Sequence, residues 1–275
     1  MTIVAVTREM GTLGKDVATG LGEALGLPVV YHEIIDNLAD RMRVRRSHVV
    51  RLLDGKAGLF ERLSADRTSL FVHSAEEVID FARQGRGAVI RGWGATHLLH
   101  DVPHVICVRV CAPIELRKQR MMERLNTDDA ATVEAEIHSN DEAHTAIMRR
   151  HFGIRWTEPE HYDMVLNTKR VGVSECVDEV LNLVRLPKFG ETEASRQRLE
   201  DLALSARVRA ALRRSPETRD TKVDVSSESG VVILSGPHLN TDERLALVEI
   251  VVGVSGVRDV TWRSRERGDT GPRPH

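Results

Sequence analysis

The segment VAVTREMGTLGKDV (4–17) constrains the fold more than any other part of the chain. An apolar, β-branched run passes through Gly11 and Gly14 into a lysine and a helical pattern, which is the order of a phosphate-binding loop. Glycines allow a tight path, backbone N–H groups can face one anion, and the helix N-terminus adds partial positive charge. Glu9 and Asp16 stand where the general motif G-x-x-x-x-G-K-S/T has glycine and a hydroxyl residue. These residues alone leave two readings open: a phosphate site, or a plain glycine turn before a helix.

Strand and helix patterns alternate through the first two thirds of the chain. The strand-like apolar runs are 2–7, 28–31, 88–92, 104–110 and 162–168, and helical patterns lie between them. This alternation is typical of a parallel sheet with right-handed crossover connections, which is an α/β fold.

The pattern changes after residue 186. The segment 187–198 holds Pro, Gly and small polar residues and is predicted to be a linker. A helix, two strands, a second helix and a last strand follow, which predicts a small α+β (αββαβ) domain over 199–264. The polar segment 265–275 is predicted to be a disordered tail.

Composition excludes several classes of function. The chain has 275 residues, enough for about two domains. A formal net charge of −2 and an aromatic content of 4% argue against nucleic-acid binding. No apolar run approaches the roughly 20 residues needed to cross a bilayer, and no secretory signal pattern is present. The three irregularly spaced cysteines are typical of reduced thiols, so a cytoplasmic location is expected.

Four segments, taken in order, resemble the motifs of one protein family. TREMGTLGKD resembles the S-R-E-Y-G-S-G-G-R/K loop of the cytidylate kinase-like family, in which Glu9 is the expected residue and the position of Asp16 is commonly acidic. The segments GLPVVYHEII, APIELRKQRMMER and HFGIRWTEPEHYDMVLNT resemble later motifs of that family. The resemblance extends over about residues 1–186 and implies a P-loop domain, a three-layer parallel sheet with a helical lid.

The resemblance implies an ATP-dependent nucleoside monophosphate kinase with CMP or dCMP as the default acceptor. Phosphoryl transfer depends mainly on positioning and on cations around the transferring group. The implied donor site consists of Gly11, Thr12, Leu13, Gly14, Lys15 and Asp16, with Asp16 also holding Mg²⁺. Lys15 would be catalytic, as would Arg117 and Arg120, which share a helix face and would close over the phosphates. A solvated helix face is the alternative for these two arginines.

The implied acceptor site departs from the family pattern at two positions. Trp93 replaces an arginine, and Arg91, two residues earlier on the strand, either compensates or does not. His144 replaces an arginine of a D-x-x-R motif and would hold a phosphate only when protonated. Asp141 of the same motif is expected to bind an amino group on the base.

Two further arginines are predicted to bind the acceptor substrate. Arg8 belongs to the loop motif itself. Arg41 lies in the basic run RMRVRRSH, which is either a phosphate clamp or a solvated basic patch.

Residues 199–263 resemble a BON domain through ARVRAAL, GVVILSG and VSGVRDV. The resemblance implies contact with phospholipid membranes or small molecules, and a docking or homo-oligomerisation module is the alternative. Two functions therefore stand side by side, and a peripheral membrane protein acting through the C-terminal unit is a third. One is a nucleotide kinase, and the other is a nucleotide-binding sensor or scaffold without turnover that uses the BON-like unit as its output.

Overall fold

A computed structural model describes residues 1–42, 44–53, 67–92, 94–236 and 239–264. Trp93 and the predicted tail 265–275 lie outside these residues. The described chain forms two sheets, each packed with its own helices. Among the described helices, none combines the length and the hydropathy that a membrane-spanning segment requires.

The first sheet is parallel and has the strand order β2-β3-β1-β4-β5. Its strands are β1 (Ile3–Arg8), β2 (Val29–Val30), β3 (Ala88–Arg91), β4 (Val105–Cys111) and β5 (Met164–Asn167). The helices around it are α1 (Gly14–Leu25), α2 (His32–Met42), α3 (Arg46–Leu53), α4 (Arg67–Arg83), α5 (Ala95–Leu98), α6 (Ile114–Leu125), α7 (Ala130–Phe152) and α8 (Val173–Val184). The predicted α/β class and parallel sheet are confirmed.

Strand β1 lies at the centre of the sheet and is buried on both faces. Ile3 and Ala5 point into the apolar core beneath α2, α4 and α5, while Val4 and Val6 point into the core shared with α1 and α8. The strand is flanked by β3 on one side and β4 on the other, so its carboxyl end opens at the middle of the sheet. Parallel α/β sheets bind their ligands at this edge, where connections leave in opposite directions.

The second unit contains α9 (Glu193–Arg214), β6 (Asp224–Glu228), β7 (Val231–Gly236), α10 (Thr241–Val252) and β8 (Asp259–Ser264). Strand β7 lies between β6, to which it is antiparallel, and β8, to which it is parallel. This is the αββαβ order that the sequence predicts.

The segment predicted as a linker differs from that expectation. Residues Pro187–Phe189 form a 3-10 helix, and α9 begins at Glu193 rather than at 199. Thr192 caps the helix, since its side chain accepts from the backbone N–H of Ser195 while the Ser195 hydroxyl accepts from the Thr192 N–H. Small polar residues that look like linker composition therefore form a capping box.

Helix α9 belongs to both units. Leu199 and Ala203 pack into the core of the first unit, whereas Leu204 and Val208 pack into the core of the second. Near its end, the Arg213 Nε donates to the Ser69 hydroxyl of α4 at 3.0 Å. The two units are thus joined through a continuous helix that packs on α4.

Candidate functional site

The loop between β1 and α1 has a backbone that only certain residues can adopt. Gly11 has φ +79°, and a Cβ there would lie 2.7 Å from the carbonyl oxygen of Arg117, so a side chain at this position is excluded. A Cβ on Gly14 would lie 2.6 Å from the Cβ of Arg8. Leu13 is left-handed as well, with φ 62°. The sequence motif thus has a physical basis in backbone conformation and in close packing on Arg8 and Arg117.

A cavity of about 170 Å³ opens at this loop. All six residues predicted for the donor site line it, from Gly11 to Asp16, together with Arg8, Arg120, Met121 and Arg124. Lys15 and Asp16 are both exposed in the first turn of α1. Four cationic side chains against one carboxylate make this cavity suited to an anion with several charges.

The lining of the loop cavity also includes a group that can bind Mg²⁺. Asp16 is the carboxylate among the residues that line it. Mg²⁺ typically takes one or two protein carboxylates and completes its octahedral shell with phosphate oxygens and waters. The lining residues therefore fit a nucleotide-bound Mg²⁺ held by Asp16, and they do not form an all-protein metal cage.

Arg117 and Arg120 lie on the face of α6 that is turned to the loop, but both are engaged by the protein. Arg117 is only 5% exposed. Its Nε donates to the Met10 carbonyl at 2.7 Å, and its two terminal nitrogens donate to the Asp141 carboxylate at 2.8 Å each. Arg120 donates to the hydroxyl and the carbonyl of Thr168 at 2.9 and 2.8 Å. The solvated-face alternative is therefore wrong for Arg117, and the same bonds keep its guanidinium away from any phosphate in this conformation.

A second cavity, of about 120 Å³, lies beside the loop. Arg8, Arg91, Asn140, His144 and Ser74 provide its polar groups. Its apolar and aromatic walls come from Tyr31, Phe71, Ile147, Met148 and Phe152. Arg8 lines both this cavity and the loop cavity, so the two spaces share this residue.

Arg91 is, with Arg8, one of the two cationic residues that line the second cavity. The side chain is 6% exposed, and its guanidinium lies 3.8 Å from the centre of the Tyr31 ring. Burial, followed by the positive charge of Arg8, lowers the pKa of Arg91. Within the described ranges, no carboxylate lies within ion-pair distance of Arg91. A buried cation near a second cation is costly, so an anion in this cavity would be bound favourably.

Two of the residues predicted for the acceptor site have partners within the protein. Arg41 forms ion pairs with Glu76 and Glu77 of α4 and is not among the residues that line the second cavity. The Asp141 carboxylate is bound by both terminal nitrogens of Arg117, so an amino group of a base would share it with that arginine. In both cases a side chain assigned to substrate has a partner within the protein.

His144 lines the second cavity as predicted, but not as a cation. Its ring packs at 4.1 Å from Trp156, and its Nε2 is buried with no hydrogen-bond partner among the described residues. Burial lowers the pKa of His144 to about 4, an effect to which Arg8 and Arg109 add and which Asp141 opposes. His144 is therefore neutral near pH 7, and the expectation that it binds a phosphate when protonated is corrected.

Acidification is expected to destabilise the fold because several histidines are held neutral. Burial lowers the pKa of His144 and of His151 to about 4 and also lowers that of His104, whereas all three titrate near 6.5 when unfolded. Between pH 6.5 and 4 the unfolded chain binds more protons, so the free energy of unfolding falls as pH falls. Urea unfolding at pH 7.5, 6.0 and 5.0 measures this loss, and His144→Gln should reduce its slope by about one proton. A stability unchanged from pH 7.5 to 5.0 would contradict the burial of these rings.

Sequence reasoning missed part of the site. Glu9 is 8% exposed and pairs with Arg109 of β4, and Arg109 also donates to the Thr157 carbonyl at 3.1 Å. The signal was present, because Arg109 is a charge within the apolar run HVICVRV. Asn140 and Phe71 carried no such signal, since their place at the cavity depends on how α4 and α7 pack.

Several solved structures match about two thirds of this chain. An uncharacterized protein from Eubacterium ventriosum matches 67% of this chain and 98% of its own, with 19% identity and a TM-score of 0.53. A shikimate kinase from Bacteroides thetaiotaomicron matches 67% and 99%, with 12% identity and a TM-score of 0.45. A deoxyadenosine kinase from M. mycoides with bound dATP matches 67% and 100%, with 8% identity and a TM-score of 0.41. The likeness to the first of these structures concerns the fold alone.

Among curated proteins, no sequence matches the chain significantly. The family models do match. That of the cytidylate kinase-like family matches residues 3–170, and that of the BON domain matches residues 200–263. The chain therefore belongs to the cytidylate kinase-like family and carries a BON domain after its kinase-like domain.

Proposed function

We propose that the protein transfers the γ-phosphate of ATP to a nucleoside monophosphate, with CMP or dCMP as the default acceptor. The observation that carries this proposal is the position of Arg8, which lines both the loop cavity and the second cavity. A cation between a donor site and an acceptor site can stabilise the charge that develops on a transferring phosphoryl group.

The donor phosphates would lie on the loop from Gly11 to Asp16. Lys15, exposed at the start of α1, would place its ammonium on the β- and γ-phosphates. Mg²⁺ would be held by Asp16 and, when bound, would supply charge neutralisation at the phosphate oxygens. Arg120 and Arg124 line the same cavity and add positive charge to it.

The acceptor would lie in the second cavity with its phosphate against Arg8 and Arg91. Phe71, Phe152 and Tyr31 provide apolar surface for a planar base. Because Asn140 and neutral His144 line this cavity and Asp141 does not, recognition of the base would fall to Asn140 and His144. An amide and a neutral imidazole can each donate and accept, so they suit an uncharged pyrimidine edge.

A cytoplasmic location, where nucleotides are abundant, belongs to the same proposal. The BON domain would supply contact with a phospholipid membrane, a small molecule or a second copy of the chain. Helix α9, which packs into both units, would transmit such contact to the kinase-like domain.

A second candidate function is nucleotide sensing without turnover. The observation that favours it is the loss of two family contacts to the acceptor, since Asp141 is bound by Arg117 and His144 is held neutral. In that case the loop would bind ATP, and the BON domain would be the output.

A panel of acceptors separates the two functions. The purified chain would be incubated with ATP, Mg²⁺ and each of CMP, dCMP, UMP, AMP and GMP, and diphosphate formation would be measured. The kinase proposal expects CDP or dCDP at a rate that depends on both substrates. ATP binding at micromolar concentration with no diphosphate from any acceptor would reject the kinase and support the sensor.

A further inference from the structure

The phosphate loop is held through its carbonyl groups, by one side chain of its own and by two from other elements. The Thr12 hydroxyl donates to the Glu9 carbonyl at 2.8 Å, Arg117 Nε donates to the Met10 carbonyl at 2.7 Å, and the Thr168 hydroxyl donates to the Thr12 carbonyl at 2.8 Å. In a planar trans peptide, the N–H of the next residue points opposite to the carbonyl. Donors bound to these carbonyls therefore fix the N–H groups of Met10, Gly11 and Leu13 in the opposite directions.

Arg117 makes the most contacts among the residues that hold the loop. Besides the Met10 carbonyl, it binds both oxygens of Asp141 on α7, and it lies 3.5 Å from the Glu9 carboxylate. Its own backbone oxygen is the atom that a side chain at Gly11 would strike. One buried side chain thus connects the loop to α6 and α7.

The charged side chains beside the loop are balanced in number. Arg117 and Arg109 are positive, Glu9 and Asp141 are negative, and the four groups are joined by ion pairs. Three of them are at most 8% exposed. Removing Arg117 would leave two carboxylates close to a loop that must hold phosphate, and a buried pair that loses one partner is strongly destabilised.

We propose that Arg117, held by Asp141, is a positioning residue that sets the backbone of the phosphate loop for nucleotide binding, rather than a lid residue that touches the phosphates. The inference rests on the proposed function for the identity of the nucleotide. Asp141 orients the guanidinium, and Thr168 holds the next part of the loop. The planar fork of arginine is required, because a single guanidinium must serve the Met10 carbonyl and the Asp141 carboxylate at once.

The chain offers a matched control on the same two helices. Lys118 of α6 pairs with Glu134 of α7 at 3.1 Å, but this pair is at the surface, where Lys118 is 19% and Glu134 is 41% exposed. Lys118→Met therefore removes an ion pair between α6 and α7 without touching the loop. A surface pair of this kind contributes little to stability.

The test measures ATP binding by calorimetry, with urea unfolding alongside, for the wild type and for Arg117→Met, Arg117→Lys, Asp141→Asn and Lys118→Met. We expect ATP affinity to fall about 10-fold or more in Arg117→Met, and less in Asp141→Asn, which keeps Arg117. Lys118→Met should bind as the wild type does. Arg117→Lys keeps the charge but loses the fork, so it should recover only part of the affinity.

The outcomes separate the inference from the proposed function. If the wild type binds no nucleotide, the proposed function fails and the inference fails with it. If the wild type binds ATP and Arg117→Met binds it equally well, only the positioning role is overturned. Where Arg117→Met unfolds, Arg117→Lys and Asp141→Asn decide, because a purely structural role would lower their stability without changing the ATP affinity of the folded fraction.

Discussion

Replacing Lys15 by methionine is expected to reduce phosphoryl transfer by about 100-fold or more while leaving the fold intact. Lys15 is exposed in the first turn of α1, so its ammonium contributes nothing to the apolar core. A cation placed on a transferring phosphoryl group is typically worth two to three orders of magnitude in rate. Methionine keeps the length and the helix propensity of the side chain.

Two measurements check this expectation together. Turnover with ATP and CMP should fall, and the urea midpoint should stay within about 0.5 kcal/mol of the wild-type free energy of unfolding. Unchanged turnover in a folded Lys15→Met protein would mean that the loop cavity is not the donor site. A variant that lost both turnover and fold would not test the role of Lys15 in transfer. Because Lys15 is exposed, we expect the variant to fold.

Replacing Arg91 by methionine is expected to lower kcat/KM for the acceptor by about 10- to 100-fold, which matches the loss of a charged hydrogen bond in a buried site. Arg91 is buried at the second cavity, and the described residues offer it no carboxylate within ion-pair distance. The affinity for ATP should change little, because Arg91 is not among the residues that line the loop cavity. The effect should therefore appear mainly in KM for the nucleoside monophosphate.

A matched variant separates the loss of the cation at the second cavity from a general change in net charge. Arg86 is exposed on the turn just before β3, so Arg86→Met removes the same charge a few residues away. It should leave both KM values unchanged. A normal acceptor KM in Arg91→Met would contradict the assignment of the acceptor phosphate to the second cavity. Removing Arg91 can also raise the stability of the free protein, since burial and Arg8 disfavour its charge.

The sequence predicts the loop well because loop geometry depends on local residues. Gly11 and Gly14 are fixed by backbone conformation and by contacts that the motif encodes, and the order of strand, loop and helix follows from apolar periodicity. The parallel sheet was predictable for the same reason. These features need no knowledge of which side chains meet across the fold.

The partners of charged side chains could not be predicted in the same way. Helical spacing places Arg117 and Arg120 on one face, but it does not say that Asp141, 24 residues later, binds Arg117. The lowered pKa of His144 depends on burial beside Trp156, and that burial is set by the packing of α7 on the residues after it. Trp93, the other departure from the family pattern, lies outside the described residues, so its role stays a prediction.

The start of α9 shows a different limit of prediction from sequence. Composition made 187–198 resemble a linker, yet Thr192 and Ser195 cap a helix that begins at Glu193. The helix is anchored further because Ser195 also bonds His104, which is 1% exposed. A cap and a continuing apolar stripe outweigh the composition of a short segment.

We propose that the loop cavity and the second cavity form one transfer site, and the transfer of a labelled γ-phosphate tests this most directly. Enzyme in excess would be mixed with γ-labelled ATP, Mg²⁺ and CMP, and the products would be separated after single-turnover times. We expect label in CDP for the wild type and essentially none for Lys15→Met. Label appearing only as inorganic phosphate, or remaining in ATP bound to the wild type, would contradict it.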